Sequence, residues 1–181
     1  MRRVVGCALL VVLLAAGCTS GGPTLDEAAQ VLAADAKKLE SSYSMAGKKT
    51  VDKTGEGNDD AAGCPGGTAT RSYQFSGSFD ESGQMTPAEQ AERADLASDP
   101  LQSNLVGLGY EIDRSASWAR PGRSSVVLHK KDPGITFILL IQDSAPNIEI
   151  IGKTDCLPSE SRSERNSQKT GSFPELQSGL P

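Results

Sequence analysis

The segment from residue 110 to residue 154 constrains the fold more than any other part of the chain, because apolar and polar residues alternate along it. A period of two is typical of strands that bury one face of a sheet. Two Pro-Gly turns divide the segment, at residues 120–123 and 132–135. In each turn, Pro presets the first central residue and Gly supplies the positive φ of the second. With a third turn at residues 144–147, the pattern predicts a meander of four antiparallel strands.

The third strand of this meander, over residues 135–142, is apolar on both faces and is therefore predicted to be central. Its side chains alternate between the two faces, with Phe137 and Leu139 on one and Ile138 and Leu140 on the other. Ile151 in the next strand extends the second face. We expect the first helix of the chain to cover that second face. Without such cover, the face would expose an apolar patch typical of a partner or ligand surface.

Two helices are predicted upstream, each opened by a capping box in which a hydroxyl and a carboxylate satisfy exposed amides. The first begins at Thr24 with Glu27, has one apolar face, and is expected to stop at Gly47. The second begins at Thr86 with Glu89. Proline removes a donor and restricts the residue before it, so this helix is expected to break at residues 99–100.

Between the helices, residues 68–79 alternate as a half-buried strand, with Tyr73, Phe75 and Phe79 on one face. Residues 48–67 are polar and glycine-rich, and are predicted to form a loop with at most a short strand near Val51. The chain is therefore predicted to form one α+β domain over residues 24–158: a two-layer fold with a mainly antiparallel five-stranded sheet packed with two helices. Residues 159–181 carry little apolar surface and are predicted to be a disordered tail.

No constellation of side chains indicates catalysis or a metal site. His129 is the single histidine and is interpreted as a surface residue near a hairpin turn, and the acidic loop at residues 55–60 lacks the ligand pattern of an EF-hand. Trp118 allows two interpretations: packing in the core, which we favour, or a cationic aromatic edge. The arginines that would complete that edge are Arg114, Arg120 and Arg123. Because Arg114 falls on the apolar face of its strand, a bulge or an edge is expected there.

The first residues direct the chain out of the cytoplasm. Arg2 and Arg3 precede an apolar run at residues 4–16, and small residues then lead to Cys18. As a helix this run would cover about 20 Å of a hydrocarbon core roughly 30 Å thick, so it indicates a cleaved signal. The segment resembles a bacterial lipoprotein signal with a lipobox ending at Cys18. The resemblance implies a signal peptide at residues 1–17, lipidation of Cys18 with palmitate among the acyl groups, and a flexible tether up to residue 23.

Ordinary secretion is the alternative, because Ala15 and Gly17 also fit the small-x-small rule for cleavage before Cys18. The lipobox interpretation fixes the fate of the other cysteines. Cys7 leaves with the signal, Cys18 takes the lipid, and Cys64 and Cys156 remain as an even pair in an oxidising compartment. We therefore expect a Cys64–Cys156 disulfide.

The expected function is that of a lipid-anchored cell-surface protein on the extracytoplasmic side, a non-catalytic binding or interaction module of the envelope with no cofactor. The candidate binding surface comprises Trp118, Ile138, Leu140 and Ile151. Its partners would be the membrane, through the lipid, and an envelope protein or a small apolar ligand. Removing Arg2 and Arg3 moves the net charge from −5 to −7, which disfavours nucleic acid. The alternatives are a carrier of a small apolar ligand and an envelope hydrolase that uses carboxylates such as Glu111, Asp113 or Glu149.

Overall fold

The structure, a computed structural model, describes residues 22–55, 59–79 and 84–159. The predicted signal, Cys18 and the tail after residue 159 lie outside these ranges. Two helices and eight strands follow one another along the described chain: α1 (Leu25–Ser41), β1 (Ala46–Lys53), β2 (Thr68–Ala69), β3 (Ser72–Ser78), α2 (Pro87–Gly107), β4 (Glu111–Arg120), β5 (Arg123–Lys130), β6 (Ile135–Gln142), β7 (Ile148–Thr154) and β8 (Leu157–Pro158). The predicted α+β class is confirmed.

Helix α1 begins as predicted and ends earlier than predicted. The Thr24 amide donates to Glu27 Oε2 at 2.9 Å and the Glu27 amide donates to Thr24 Oγ1 at 3.3 Å, which completes the capping box. The helix ends at Ser41 rather than at Gly47. The hydroxyls of Ser41 and Ser42 both donate to the carbonyl of Lys38, at 2.9 and 2.7 Å, so side chains bind the carbonyl of the last turn.

Helix α2 also has its predicted capping box, between Thr86 and Glu89, but it does not break at residues 99–100. It continues through Pro100 to Gly107. One buried face runs along the helix on both sides of the proline, formed by Ala94, Ala97, Leu101 and Leu105. The packing of this face stabilises a continuous helix despite the hydrogen bond that proline removes.

The main sheet is antiparallel throughout and has six strands in the order β1-β3-β7-β6-β5-β4. The four-strand meander is confirmed as β4 to β7, and β3 lies beside β7. The sixth strand is β1, in a region predicted to be mostly loop. Every residue of β1 after Ala46 is exposed, so an edge strand of this kind leaves no alternation in the sequence.

The strand predicted over residues 68–79 is divided in two. Its first part, β2, pairs with β8 as a small separate sheet, and its second part, β3, belongs to the main sheet. At the division, the Arg71 amide donates to Thr154 Oγ1 at 2.9 Å and the Thr154 amide donates to the Arg71 carbonyl at 3.0 Å. Tyr73, Phe75 and Phe79 are buried, as predicted.

Both helices pack on the same face of the main sheet. One core cluster contains Leu32, Ala36 and Leu39 of α1 and the four buried residues of α2, together with alternate residues of the strands. The strand members are Tyr73, Phe75, Leu128, Ile135, Phe137, Leu139, Ile141, Ile148 and Ile150. The closest approach is at Gly152, where a Cβ atom would lie 2.6 Å from both Leu32 Cδ1 and Phe137 Cε1. Only glycine at position 152 therefore allows α1 to pack this closely against β7.

The second face of the sheet carries neither helix, so the expectation that α1 would cover it is wrong. We call this surface the open face. Its residues follow from the strand register, which aligns Lys53, Ser72, Lys153, Thr136, His129 and Glu111 in one row across all six strands. The next row contains Val51, Gln74, Ile151, Ile138, Val127 and Asp113, and the third contains Lys49, Ser76, Glu149, Leu140, Ser125 and Trp118.

Candidate functional site

The centre of the open face is apolar. Ile138 lies between Val127 of β5 and Ile151 of β7, and Leu140 follows Ile138 along the same strand. We call these four residues the apolar patch. Each of the four is half-buried. The structure thus brings together the three aliphatic residues of the predicted binding surface.

Trp118, the fourth residue of that surface, is 40% exposed, so the interpretation that it packs in the core is wrong. Its ring lies 5.4 Å from Arg120 Cζ and 5.9 Å from Arg123 Cζ, within the range of cation–π attraction. Of the three arginines considered, Arg120 and Arg123 thus form the cationic aromatic edge. Trp118 pairs with Ser125 and stands in the row of Leu140, at the rim of the apolar patch.

An irregularity in β4 explains why strand alternation misplaced Trp118. The register with β5 shifts between Asp113 and Trp118, as the position of Arg114 suggested. Asp113 Oδ1 accepts hydrogen bonds from the Ser115 amide and hydroxyl at 2.9 and 2.6 Å, and from the Ala116 amide at 3.2 Å. These hydrogen bonds, with that of the Ser115 side chain first, lower the pKa of Asp113. The extra residues move Trp118 to the same face as Asp113.

Of the three carboxylates considered for hydrolysis, two lie at one cleft and the third lies elsewhere on the sheet. Glu111 and Asp113 line a cleft at one corner of the sheet together with His129. His129 Nδ1 lies 3.1 Å from Thr136 Oγ1. Glu149 is on β7 and accepts a hydrogen bond from Gln74 Nε2 at 2.6 Å. It is three strands away from β4, or roughly 14 Å at the usual strand spacing.

A carrier of a small apolar ligand could hold it in a cavity between sheet and helix lined by Phe137, Ile138 and Leu140, but these three residues do not share one side of the sheet. Phe137 is fully buried against the helices, whereas Ile138 and Leu140 belong to the open face. A cavity between sheet and helices therefore cannot be lined by all three. The space beneath the helices is instead filled by fully buried side chains, among them Leu32, Leu101 and Phe137.

A buried acid that the sequence analysis missed lies between α1 and β5. Asp35 is 4% exposed; its Oδ2 accepts the Tyr110 hydroxyl at 3.1 Å and lies 3.4 Å from Lys130 Nζ. Lys130 Nζ also stands 5.0 Å from the centroid of the Tyr110 ring. Burial, and then the charge of Asp35, raise the pKa of Tyr110 above its ordinary value. The available signal was an aspartate on the apolar face of the first helix.

A second residue that the sequence analysis missed is Arg71, whose buried side chain binds residues on both sides of the loop that follows β1. Its side chain is 5% exposed and donates from Nε to Asp59 Oδ1 at 2.6 Å. It also donates to the Thr54 carbonyl at 3.0 Å and to Asp26 Oδ1 at 3.1 Å. Two carboxylates thus balance the buried guanidinium, which is a structural clamp. Within residues 22–55, 59–79 and 84–159, no group of three or more potential metal-ligating side chains comes together.

The disulfide between Cys64 and Cys156 is present, with Cα atoms 5.6 Å apart. It joins the chain just before β2 to the chain between β7 and β8. The predicted pair is thus formed, and it brings the chain before β2 close to the end of β7. The described helices include none with the length and apolar character needed to cross a bilayer.

The fold and its surface define a class: a disulfide-bonded α+β domain in which both described helices pack on one face of an antiparallel sheet and neither packs on the other. Comparison with protein-family models, with curated proteins and with solved structures finds no match for this chain.

Proposed function

We propose that the protein is a lipid-anchored binding module of the cell envelope and that the open face is its recognition surface. The observation that carries this proposal is the apolar patch at the centre of a sheet face on which neither helix packs. Contiguous apolar surface rimmed by polar residues marks interaction sites in soluble domains. The module acts by binding, without catalysis and without a cofactor.

The rim of the patch supports the same reading. Trp118 with Arg120 and Arg123 supplies the residue types that are enriched in the energetic centres of interfaces. By contrast, Phe137 and Ile138 face opposite sides of the sheet, which gives a carrier between sheet and helices little support. The separation of Glu149 from Glu111 and Asp113 gives equally little support to a hydrolase that combines them.

The anchor is the lipid on Cys18. Gly22 and Pro23 lie beside residues 131–133, at the turn between β5 and β6. A tether at residues 19–23 spans only about 13 Å as a random coil. The β5–β6 turn would therefore stand near the membrane, and the strands of the open face would lead away from it.

Photo-crosslinking in membranes of the producing cells tests both parts. A photoreactive amino acid at Ile138 is expected to give discrete adducts, whereas the same group at Lys37, which is exposed on α1, is not. Cys18→Ala is expected to release the protein from the membrane fraction. Equal adducts from both positions would contradict a role for the open face, and an unmodified Cys18 in the wild-type protein would contradict the anchor.

A further inference from the structure

We propose that the open face binds a second copy of this chain, forming a two-fold dimer whose axis runs parallel to the strands. The inference rests on the proposed function, because it names the partner of the same surface. Three observations carry it: the position of the apolar patch among the strands, the charges of the two edge strands, and the end of the sheet at which the tether arrives.

The patch lies at the middle of the strand order. β7 and β6 are the two central strands of the six, and they carry Ile151 and Ile138 side by side. A two-fold axis parallel to the strands and midway between them lays β6 of one copy over β7 of the other. Ile138 then meets Ile151 of the second copy twice, once on each side of the axis. The most apolar part of the face is thus buried at the centre of the interface.

The two edge strands carry opposite charges at the end of the sheet nearest the tether. On the open face β1 presents Lys49 and Lys53, and β4 presents Glu111 and Asp113. The proposed axis sets β1 of one copy against β4 of the other, so lysines meet carboxylates at both rims. An axis across the strands would instead oppose β1 to β1 and lysine to lysine. At the two edges charge therefore favours the first arrangement, whereas Lys153 and Glu149 of β7 would face each other only about an axis across the strands, so the tether decides between the two axes.

Two packed sheets usually cross at about 30°, which moves an edge position by roughly one row along the strand. The lysines occupy the first and third rows and the carboxylates the first and second, so the attraction survives this rotation. At the other end of the same edge, Lys49 approaches Trp118 and its two arginines. The electrostatic preference consequently comes from the end of each rim where Lys53 of one copy faces Glu111 of the other.

The tether gives an independent reason for the same axis. Gly22 and Pro23 line one groove with residues 131–133 of the β5–β6 turn, at the end of the sheet where the row of Lys53 and Glu111 runs. Rotation about an axis parallel to the strands keeps both N-termini at that end. Two lipids at the two copies of Cys18 can then enter one membrane, which an axis across the strands would prevent.

The face is large enough for such a contact. Six strands, each about 4.8 Å wide, and three rows, each about 6.6 Å high, give about 570 Å² of plan area per copy, or about 1,100 Å² for the pair before side-chain relief is counted. That reaches the lower bound of about 1,000 Å² for a stable interface. Anchoring to one membrane surface would raise the effective concentration further.

Charge reversal in two separate chains provides the decisive test. Processed protein is extracted in detergent and its mass is followed by sedimentation equilibrium. The variant Lys53→Glu and the variant Glu111→Lys are each expected to dimerise at least about tenfold more weakly than the wild type, which corresponds to about 1.4 kcal/mol. Mixed together, the two variants are expected to form heterodimers near wild-type affinity, because both rims of the mixed dimer regain opposite charges.

Lys37→Glu on α1 carries the same charge change away from the open face and is the matched control, expected to leave dimerisation unchanged. A wild-type protein that stays monomeric at 100-fold the concentration used in extraction would overturn the dimer, as would a mixture no tighter than its components. Dimerisation that appears only after removal of residues 160–181 would identify the tail as the occupant instead. A monomer that still gives Ile138-specific adducts to another protein would retain the proposed function and refute only this inference.

Discussion

Replacing Cys64 and Cys156 with alanine is expected to lower the melting temperature by roughly 15–20 °C. The bridge joins positions 92 residues apart. Opening a loop of this length restores about 4.6 kcal/mol of chain entropy to the unfolded state in the loop-closure description. For a domain of this size, each kcal/mol moves the melting temperature by about 3–5 °C. The effect is therefore large compared with the total stability of an ordinary domain.

The structure indicates that this cost belongs to the unfolded chain rather than to the native contacts. Beside the bridge, β2 and β8 share only two residue pairs, whereas β3 and β7 remain paired from Ser72 to Gly77 without it. Native secondary structure should thus persist in the variant below its midpoint. Scanning calorimetry and urea unfolding in a common Cys18→Ala background measure the change, and the urea m-value should rise because the unfolded chain expands. If the melting temperature fell by less than about 5 °C and the m-value did not change, the entropic account would be refuted.

Two further predictions concern the core. Gly152→Ala should destabilise the domain by about 1–3 kcal/mol, because its Cβ would meet Leu32 and Phe137 at 2.6 Å, whereas Gly66→Ala, which meets nothing within 4 Å, should be neutral in the same thermal melt. Tyr110→Phe should make the free energy of unfolding fall less steeply above pH 10. The pKa of Tyr110 is raised in the folded state, so its contribution to stability is complete below the pKa of the unfolded chain and declines as the pH rises. The decline is about 1.4 kcal/mol per pH unit for each such tyrosine. Identical slopes between pH 9 and 11 for wild type and variant, from urea midpoints, would contradict this.

The meander was predictable because its signals are local. Alternation assigns Phe137 and Ile138 to opposite faces, and a glycine with positive φ at Gly122 or Gly134 supplies the turn between neighbouring strands. Strand β1 was not predictable in the same way, since an exposed edge strand needs no apolar residues. What identifies β1 as a strand is its backbone pairing with β3, and the residue types of β1 do not indicate that pairing.

Other differences arise from contacts between distant parts of the chain. Pro100 remains inside a helix because its neighbours are buried against the sheet, and Trp118 changes face because Asp113 holds a local turn. Asp35 was visible as an acid on an apolar helix face, but Tyr110 and Lys130, which balance it, lie 75 and 95 positions away. Alternation alone cannot supply partners at such separations. The face of the sheet on which each helix packs likewise depends on contacts between distant parts of the chain.

The placement of both helices on one face follows from the connections and the widths of the described elements. β3 and β4 run parallel, with three strands between them, and α2 connects them by crossing one face of the sheet. A helix with its side chains is about 10 Å wide, so α1 and α2 side by side cover about 20 Å, or about four strand spacings. Two helices therefore cover most of one face of six strands, and neither of the two described helices is left for the other face. Apolar residues on that other face, at Ile138, Leu140 and Ile151, are not required by the core between sheet and helices, which is why we assign them to binding.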